Sequence, residues 1–566
     1  MEKRAILAAV LSIVILIGWQ FLFFRPAERE AEIEVQGSQE RVAEVEKTRR
    51  QAETPQGRPA PPREEGVITA SPWPGPLAGG GEDITIETGV ARIVLTTRGA
   101  AIKQVHLIHY VDDGGEPVKL VVAPNGEAPP LLPLQFRSTH PFAQMANDAL
   151  YQASRKRLTL SPEAPQGEIS MVLQGNGEGF LRKTFSFQYG SYATDVRLEW
   201  GGAAMPEGLS ILWGPGIGGE AGAGRTGFFG GGGDYYSTLG PVTLLEGAEG
   251  ARRIEDDSEE PQALRHRGNI TWTSLHSKYF MAALIPRDSA EGALVEKTHD
   301  GTTAVGLEFP GDQGEASFSL YAGPKEYSHL KTYGASLDRA VDFGFFGFLA
   351  KPLLLGLNFI FRLTSNYGWS IIILTVLIKL VFAPLTHKST KSMQQMAKLQ
   401  PKMKSLREIY KNDKQRLNEE VMKLYREHKV NPLGGCLPLL LQIPVFFALY
   451  RVLLSSIELR QAHFLWISDL SAPEATTIPV FVIAMGASMW LQQKMSPTSM
   501  DPTQAKMMMF MPIIFTFLFW SFPVGLVIYW LANNLLSIGQ QYLTNKSTLS
   551  PAVSAKAPSK PAKRAK

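Results

Sequence analysis

Two periodicities divide the chain. Between residues 84 and 335 apolar and polar positions alternate in short runs: Ile84-Thr85-Ile86-Glu87-Thr88, Ile93-Val94-Leu95-Thr96-Thr97, Thr184-Phe185-Ser186-Phe187-Gln188 and Ala316-Ser317-Phe318-Ser319-Leu320. A period of two belongs to a strand with one buried face. Gly, Pro and Asn125-Gly126 punctuate the runs. The pattern predicts an all-β domain over 84–335, built as a sandwich.

Elsewhere the apolar positions form unbroken runs. Residues 5–24 carry no charge, and at about 1.5 Å per residue they reach roughly 30 Å, one bilayer core. The run ends in Phe21-Leu22-Phe23-Phe24-Arg25 without an Ala-x-Ala site, so residues 1–25 read as an uncleaved signal anchor and first transmembrane helix. Residues 26–83, rich in Glu, Pro, Arg and Gly, read as a disordered linker. The run 343–363 is interrupted by Lys351, Pro352 and Arg362 and predicts an amphipathic helix lying in the interface. Five further spans are expected at about 368–385, 437–454, 478–491, 507–522 and 525–538. The last two are separated at Pro523-Val524, because one helix through both would measure roughly 48 Å, too long for a bilayer.

Charge supports six spans. The whole chain has 57 Lys+Arg and 53 Asp+Glu, net +4. That average hides net +2 over 1–25, −14 over 26–342 and +16 over 343–566. Loop 387–430 holds 12 basic and 5 acidic residues and belongs in the cytoplasm, as does the basic tail 546–566. Both termini are then cytoplasmic, and residues of about 25–342 lie on the far side. The single cysteine, Cys436, excludes an internal disulfide.

Lys379 sits inside the apolar run 368–385, and no Asp or Glu occurs in any predicted span. A mid-membrane lysine costs about 2.5–3.5 kcal/mol on insertion scales, so it faces protein or water, or its stem snorkels to the cytoplasmic interface. Both arrangements place a cation in the inner half of the bilayer. Thr375, Gln442, Tyr529, Asn533 and Asn534 are the other polar residues noted in the spans. Loop 387–430 has helical periodicity: Met396, Leu399, Met403, Leu406 and Tyr410, then Leu417, Val421, Leu424 and His428. An antiparallel hairpin follows, with Pro401 kinking or restarting its first arm. Its basic faces, with Lys402, Lys404, Arg407, Lys411, Lys414 and Arg416, serve either simple solvation or docking to ribosomal RNA or anionic lipid.

Enzyme signals are weak. Gly214-Pro215-Gly216-Ile217-Gly218-Gly219 fits a glycine-rich phosphate loop only formally, with no strand–helix unit around it. No P-loop, H-E-x-x-H or G-x-S-x-G occurs. The sequence predicts neither an enzyme nor a metal or organic cofactor.

The segments Asn431-Pro432-Leu433-Gly434-Gly435-Cys436-Leu437-Pro438, Gln442-Ile443-Pro444-Val445-Phe446-Phe447-Ala448-Leu449-Tyr450, Glu458-Leu459-Arg460, Gln493-Lys494-Met495-Ser496-Pro497, Phe510-Met511-Pro512 and Phe522-Pro523-Val524-Gly525-Leu526 closely resemble the YidC/Oxa/Alb family of membrane insertases. The resemblance spans 343–545, and the anchor plus large β domain is similar to the Gram-negative form. It implies a five-helix insertase core over 364–545 around a hydrophilic groove, and a periplasmic β-supersandwich similar to sugar-mutarotase folds. It also implies insertion and folding of inner-membrane proteins, alone or with the Sec translocon. Lys379 aligns with the groove cation, where the best-known Gram-negative members carry Arg. Thr375, Tyr529 and Trp530 match groove positions, and Ile443 and Phe446 match the hydrophobic slide. The implied partners are nascent membrane proteins, the Sec translocon with its accessory subunits, the ribosome, the signal-recognition-particle receptor and the bilayer. The residues alone leave two alternatives: a solute transporter or channel, and a membrane-anchored periplasmic carbohydrate-active protein.

Overall fold

The structure is a computed structural model. It describes residues 80–548, except 113, 122–130, 176–178, 203–205, 207, 219–239, 248–249, 257–259, 298–301, 313, 429, 431–436 and 496–501. The expected signal anchor, nearly all of the linker and nearly all of the basic tail lie outside the described residues.

The alternating segment folds into three sheets. The largest has nine strands in the order Gly250–Glu255, Gly240–Gly247, Ile270–His276, Phe280–Pro286, Glu315–Pro324, Ala193–Gly201, Phe180–Gln188, Gln166–Gln174 and Gln152–Ala153. One five-stranded sheet runs Pro117–Lys119, Ala101–Val111, Ala91–Thr96, Asp83–Glu87, Arg157–Thr159. The other runs Gln262–Arg267, Gly292–Lys297, Thr303–Glu308, Ser210–Trp213, Phe136–Arg137. All three contribute to one apolar core, including Ile86, Leu95, Phe185, Phe318, Trp213 and Val305.

Period-two geometry lets the nine-stranded sheet serve a second core. Phe280, Ala282 and Leu284 enter the sandwich, while Met281, Ala283 and Ile285 of the same strand face the other way. That second face is covered by Tyr327, Leu330, Leu337 and Ala340, and its cluster continues into the apolar helices.

The domain is not purely β. Helix α1, Pro141–Asp148, starts where His140 accepts from the Phe142 amide and Pro141 fills the first turn, and Phe142, Ala143 and Ala146 are buried. Helix α2 is Tyr327–Tyr333. Their apolar residues recur at helical spacing, which the strand pattern around them hides. Lys183, in the centre of Phe180–Gln188, is fully buried. It donates to the carbonyls of Gly99, Ala100 and Leu134 at 2.9, 3.4 and 2.7 Å.

Eight helices follow among the described residues: α3 Gly347–Thr364, α4 Tyr367–Lys398, α5 Gln400–Ile409, α6 Lys414–Glu427, α7 Leu437–Ser455, α8 Val480–Met495, α9 Pro502–Leu518 and α10 Val524–Thr548. Helix α3 contains Lys351 and Pro352 without a break. It buries Ala350, Leu354, Leu357 and Ile360 and exposes Phe348, Leu355, Phe359 and Leu363. Helix α4 runs 32 residues, roughly 48 Å. The first arm of the expected hairpin therefore begins as a continuation of the preceding span, through Pro384. The break comes at Leu399, and Pro401 restarts the chain as α5. The chain turns at Phe522-Pro523, after a 3-10 turn at Phe519–Ser521. There the amides of Val524 and Gly525 donate to the carbonyls of Ala472 and Leu470, both at 2.9 Å.

Helices α7, α4, α10, α8 and α9 pack as neighbours in that order. Helix α7 also touches α10, and among the described residues α7 and α9 are not packed on one another as these neighbours are.

The β domain meets this bundle at the turn after α7. Ile457 enters the sandwich core. Arg460 and Gln461 both donate to the Val111 carbonyl, at 2.7 and 3.1 Å. The Arg460 guanidinium lies 5.7 Å from the Phe280 ring centre.

Candidate functional site

The inward face of α4 follows from its burial. Ile371, Leu374 and Thr375 are buried, while Ile373, Leu377, Leu380 and Val381 are exposed. Lys379 stands one turn after Thr375 and shares its face. Its ammonium donates to Ser537 Oγ of α10 at 2.7 Å. No carboxylate forms an ion pair with Lys379 among the described residues. The amine thus points across the bundle, not along the stem toward the helix end.

Thr375 is only 1% exposed and donates to the Ile371 carbonyl at 2.7 Å. Its methyl and oxygen are locked against the backbone. Tyr529 is buried on α10, and Gln442 Nε2 of α7 donates to its hydroxyl oxygen at 2.5 Å. Trp530, the next residue, is half-buried. Phe446 meets the Trp530 ring edge to face at 4.9 Å. Ile443, one turn earlier on α7, is exposed. The structure therefore gathers Lys379, Thr375, Tyr529, Trp530 and Phe446 on α4, α7 and α10, with Ile443 on the outer side of α7.

Further polar residues join them. Asn534 donates to Ser488 Oγ of α8 at 3.1 Å. Gln541 donates to the Met495 carbonyl at 2.7 Å. Gln540 donates to Thr386 Oγ1 of α4 at 2.6 Å. Helix α10 therefore carries one polar stripe toward α8 and another toward α4. Sequence reading assigned no role to Ser537, Ser488, Thr386 or Gln540. The available signal was the spacing of polar residues at 534, 537, 540 and 541, beside Asn533, in the middle of an apolar run.

The basic residues expected to dock outside partners lie apart from this site, on α5, α6 and the turn between them. Lys402, Lys404, Lys411 and Arg416 are exposed and Arg407 is half-buried, while the Lys414 side chain lies outside the described residues. Lys402 Nζ lies 3.1 Å from His428 Nε2. The seam between the arms is Leu399, Met403, Leu424, Tyr425 and Val430. Tyr425 donates its hydroxyl to Met403 Sδ at 3.2 Å, and His428 ends α6 instead of filling the seam.

Two family models match the chain. The 60Kd inner membrane protein model matches residues 359–551, and the YidC periplasmic domain model matches residues 83–355. The membrane protein insertase YidC of Geotalea daltonii is 37% identical over 561 residues, 97% of this chain and 99% of that protein. The protein of the same name from Syntrophus aciditrophicus is 38% identical over 567 residues, 96% of this chain and 100% of that one. A solved structure of an active YidC insertase with its first transmembrane domain resolved is 21% identical, covers 83% of this chain and 94% of its own, and has a TM-score of 0.36. From identity sustained over nearly the whole length, this chain belongs to the YidC family of inner-membrane protein insertases.

Proposed function

We propose that this chain inserts nascent membrane proteins into the inner membrane by receiving their polar tails at Lys379, and that it is not an enzyme. One observation carries the reading: an ammonium held between α4 and α10 by a neutral hydroxyl, with no acid paired to it among the described residues. A short acidic or polar segment of the client enters beside Lys379, Thr375, Tyr529 and Trp530. Its apolar helix passes Ile443 and Phe446 between α7 and α9 into lipid. The drive is transfer of apolar surface out of water, about 25 cal/mol per Å2. The charge needed at Lys379 is generic, since Lys lacks the planar fork of Arg.

In this reading the chain crosses the membrane six times with both termini cytoplasmic. The β domain over 84–335 is periplasmic, and α3 lies in the outer interface with its exposed phenylalanines in lipid. Helices α5 and α6 and the turn between them, with Lys402, Lys404, Arg407, Lys411, Lys414 and Arg416, form the cytoplasmic face offered to the ribosome and the signal-recognition-particle receptor. The Sec translocon and its accessory subunits share clients with the core.

The test is insertion of a Sec-independent client. Lys379→Glu should abolish it and Lys379→Arg preserve it. Parental activity in Lys379→Glu would remove the charge from the mechanism. Crosslinks from positions 379 and 446 to a stalled nascent chain check the path.

A further inference from the structure

Ser537 accepts the hydrogen bond of the Lys379 ammonium. It lies on α10, four residues after Asn533, and its hydroxyl gives its single hydrogen to the Asn533 carbonyl at 2.7 Å. A hydroxyl has one hydrogen and two acceptor lone pairs. With the hydrogen committed to the backbone, Ser537 can offer Lys379 only a lone pair, and it does so at 2.7 Å. The pairing holds the ammonium without neutralising it. An acid at the same place would cancel the charge.

The bond also decides between the two arrangements the sequence left open. A lysine stem is flexible, and an ammonium without an acceptor moves toward water. Ser537 is the hydrogen-bond partner of Lys379 among the described residues. Seven residues along α4, Thr386 receives the amide of Gln540 at 2.6 Å, which keeps α4 and α10 adjacent. Removing the Ser537 oxygen therefore leaves the helices tied and the cation free to withdraw toward the cytoplasmic end.

We propose that Ser537 is a positioning residue for insertion: a one-way acceptor that holds the Lys379 ammonium over the groove until the client's acidic tail takes its place. The inference rests on the reading of Lys379 as the receiving charge. An ammonium has three donors, so an arriving carboxylate can bind before the serine is released. The exchange replaces a neutral acceptor by a charged one, which is the stronger partner. Client acidity is thereby selected at Ser537 and Lys379 together.

The experiment uses the full-length protein in membrane vesicles depleted of other insertases. Two versions of one single-span client are inserted, one with an acidic tail and one with those acids replaced by amides, read by protease protection. In Ser537→Ala the ratio of acidic-tail to amide-tail insertion should fall about tenfold, the effect of one hydrogen bond to a charged group. Ser537→Thr, whose hydroxyl can make the same backbone bond, should keep the parental ratio. An unchanged ratio in Ser537→Ala overturns the proposal. So does an equal fall for both clients, which is what a purely structural serine would give. Lys379→Gln, which removes the charge without reversing it, separates the two claims. If it loses the preference while Ser537→Ala keeps it, the role of Ser537 falls alone. If Lys379→Gln itself keeps the preference, the receiving charge falls first and the proposal with it.

Discussion

Ionisation of Glu458 should set how firmly the β domain rests on the membrane helices. This residue lies in the 3-10 turn Ile457–Leu459, directly after α7 and beside the Arg460 contact to Val111. Its carboxyl receives a hydrogen bond from Asn358 of α3 at 3.4 Å, a long one. Burial raises its pKa to about 7, and the nearby Glu326 carboxylate pushes in the same direction. An acid whose pKa is higher in the docked state keeps an extra proton there. The junction is therefore at full strength below the ordinary value near 4.5, weakens as pH rises, and levels off above about 7. Each pH unit is worth about 1.4 kcal/mol, so the window between those two values represents about 3 kcal/mol. Glu458→Gln retains an oxygen for Asn358 and cannot ionise. Thermal unfolding of the full-length protein in detergent, compared at pH 5 and pH 8, isolates the effect as a difference between parent and variant. The parent should lose more stability than Glu458→Gln on going to pH 8, and the variant should be the more stable of the two there. Equal pH slopes for the two proteins would refute the reasoning.

Two further outcomes follow from packing. Burial lowers the Lys183 amine to about 7. A base whose folded pKa is depressed gives a fold that gains stability as pH rises from about 7 toward its ordinary 10.5. Lys183→Met should abolish that gain and also remove the two hydrogen bonds that the neutral amine can give at pH 9.5, for a loss of about 2 kcal/mol or more there. Denaturant unfolding of the β domain within the intact chain, at pH 7 and pH 9.5, measures both. A side chain at Gly486 of α8 would drive its Cβ into Thr516 Oγ1 of α9. Gly486→Ala should separate those two helices and destabilise the bundle by about 1–3 kcal/mol, read as a lower melting temperature in detergent.

Which parts of this molecule could be read from its sequence depends on what each face touches. The runs at 84–88 and 184–188 alternate because one face meets a core and the other water, so the period is visible. The faces of α4 are not visible that way. Leu377 and Leu380 point outward while Leu374 and Ile371 point inward, and both surroundings are apolar, so composition carries no period. The turn at Pro523 was legible because bilayer thickness limits helix length. The extension of α4 beyond 386 was not, because a polar helix entering water has no length limit and Pro384 did not end it. Lys379 announced itself by the energy of its placement. Ser537 did not, because a serine that bonds its own backbone carries little penalty in an apolar helix. Tyr425 displaced the expected Tyr410 and His428 from the hairpin seam because its hydroxyl found Met403 across the pair.

The nine-stranded sheet with a core on either side has a consequence for how this chain can be divided or rebuilt. Residues 84–335 look like a removable module in the primary sequence. Yet excising them would strip the cover from Leu337, Ala340 and Phe343, which belong to the cluster that continues through α3 into the bundle. Ile457 and Arg460 would lose their seats at the same time. A deletion with clean borders would therefore confound loss of a domain with exposure of a greasy seam. A replacement domain would have to offer an apolar sheet face of its own, set in the correct strand phase. A slip of one residue in Phe280–Pro286 would present Phe280 and Leu284 to the helices and Met281 and Ile285 to the sandwich. The module boundary thus runs along the middle of a β-sheet, between alternate side chains, and not through any loop.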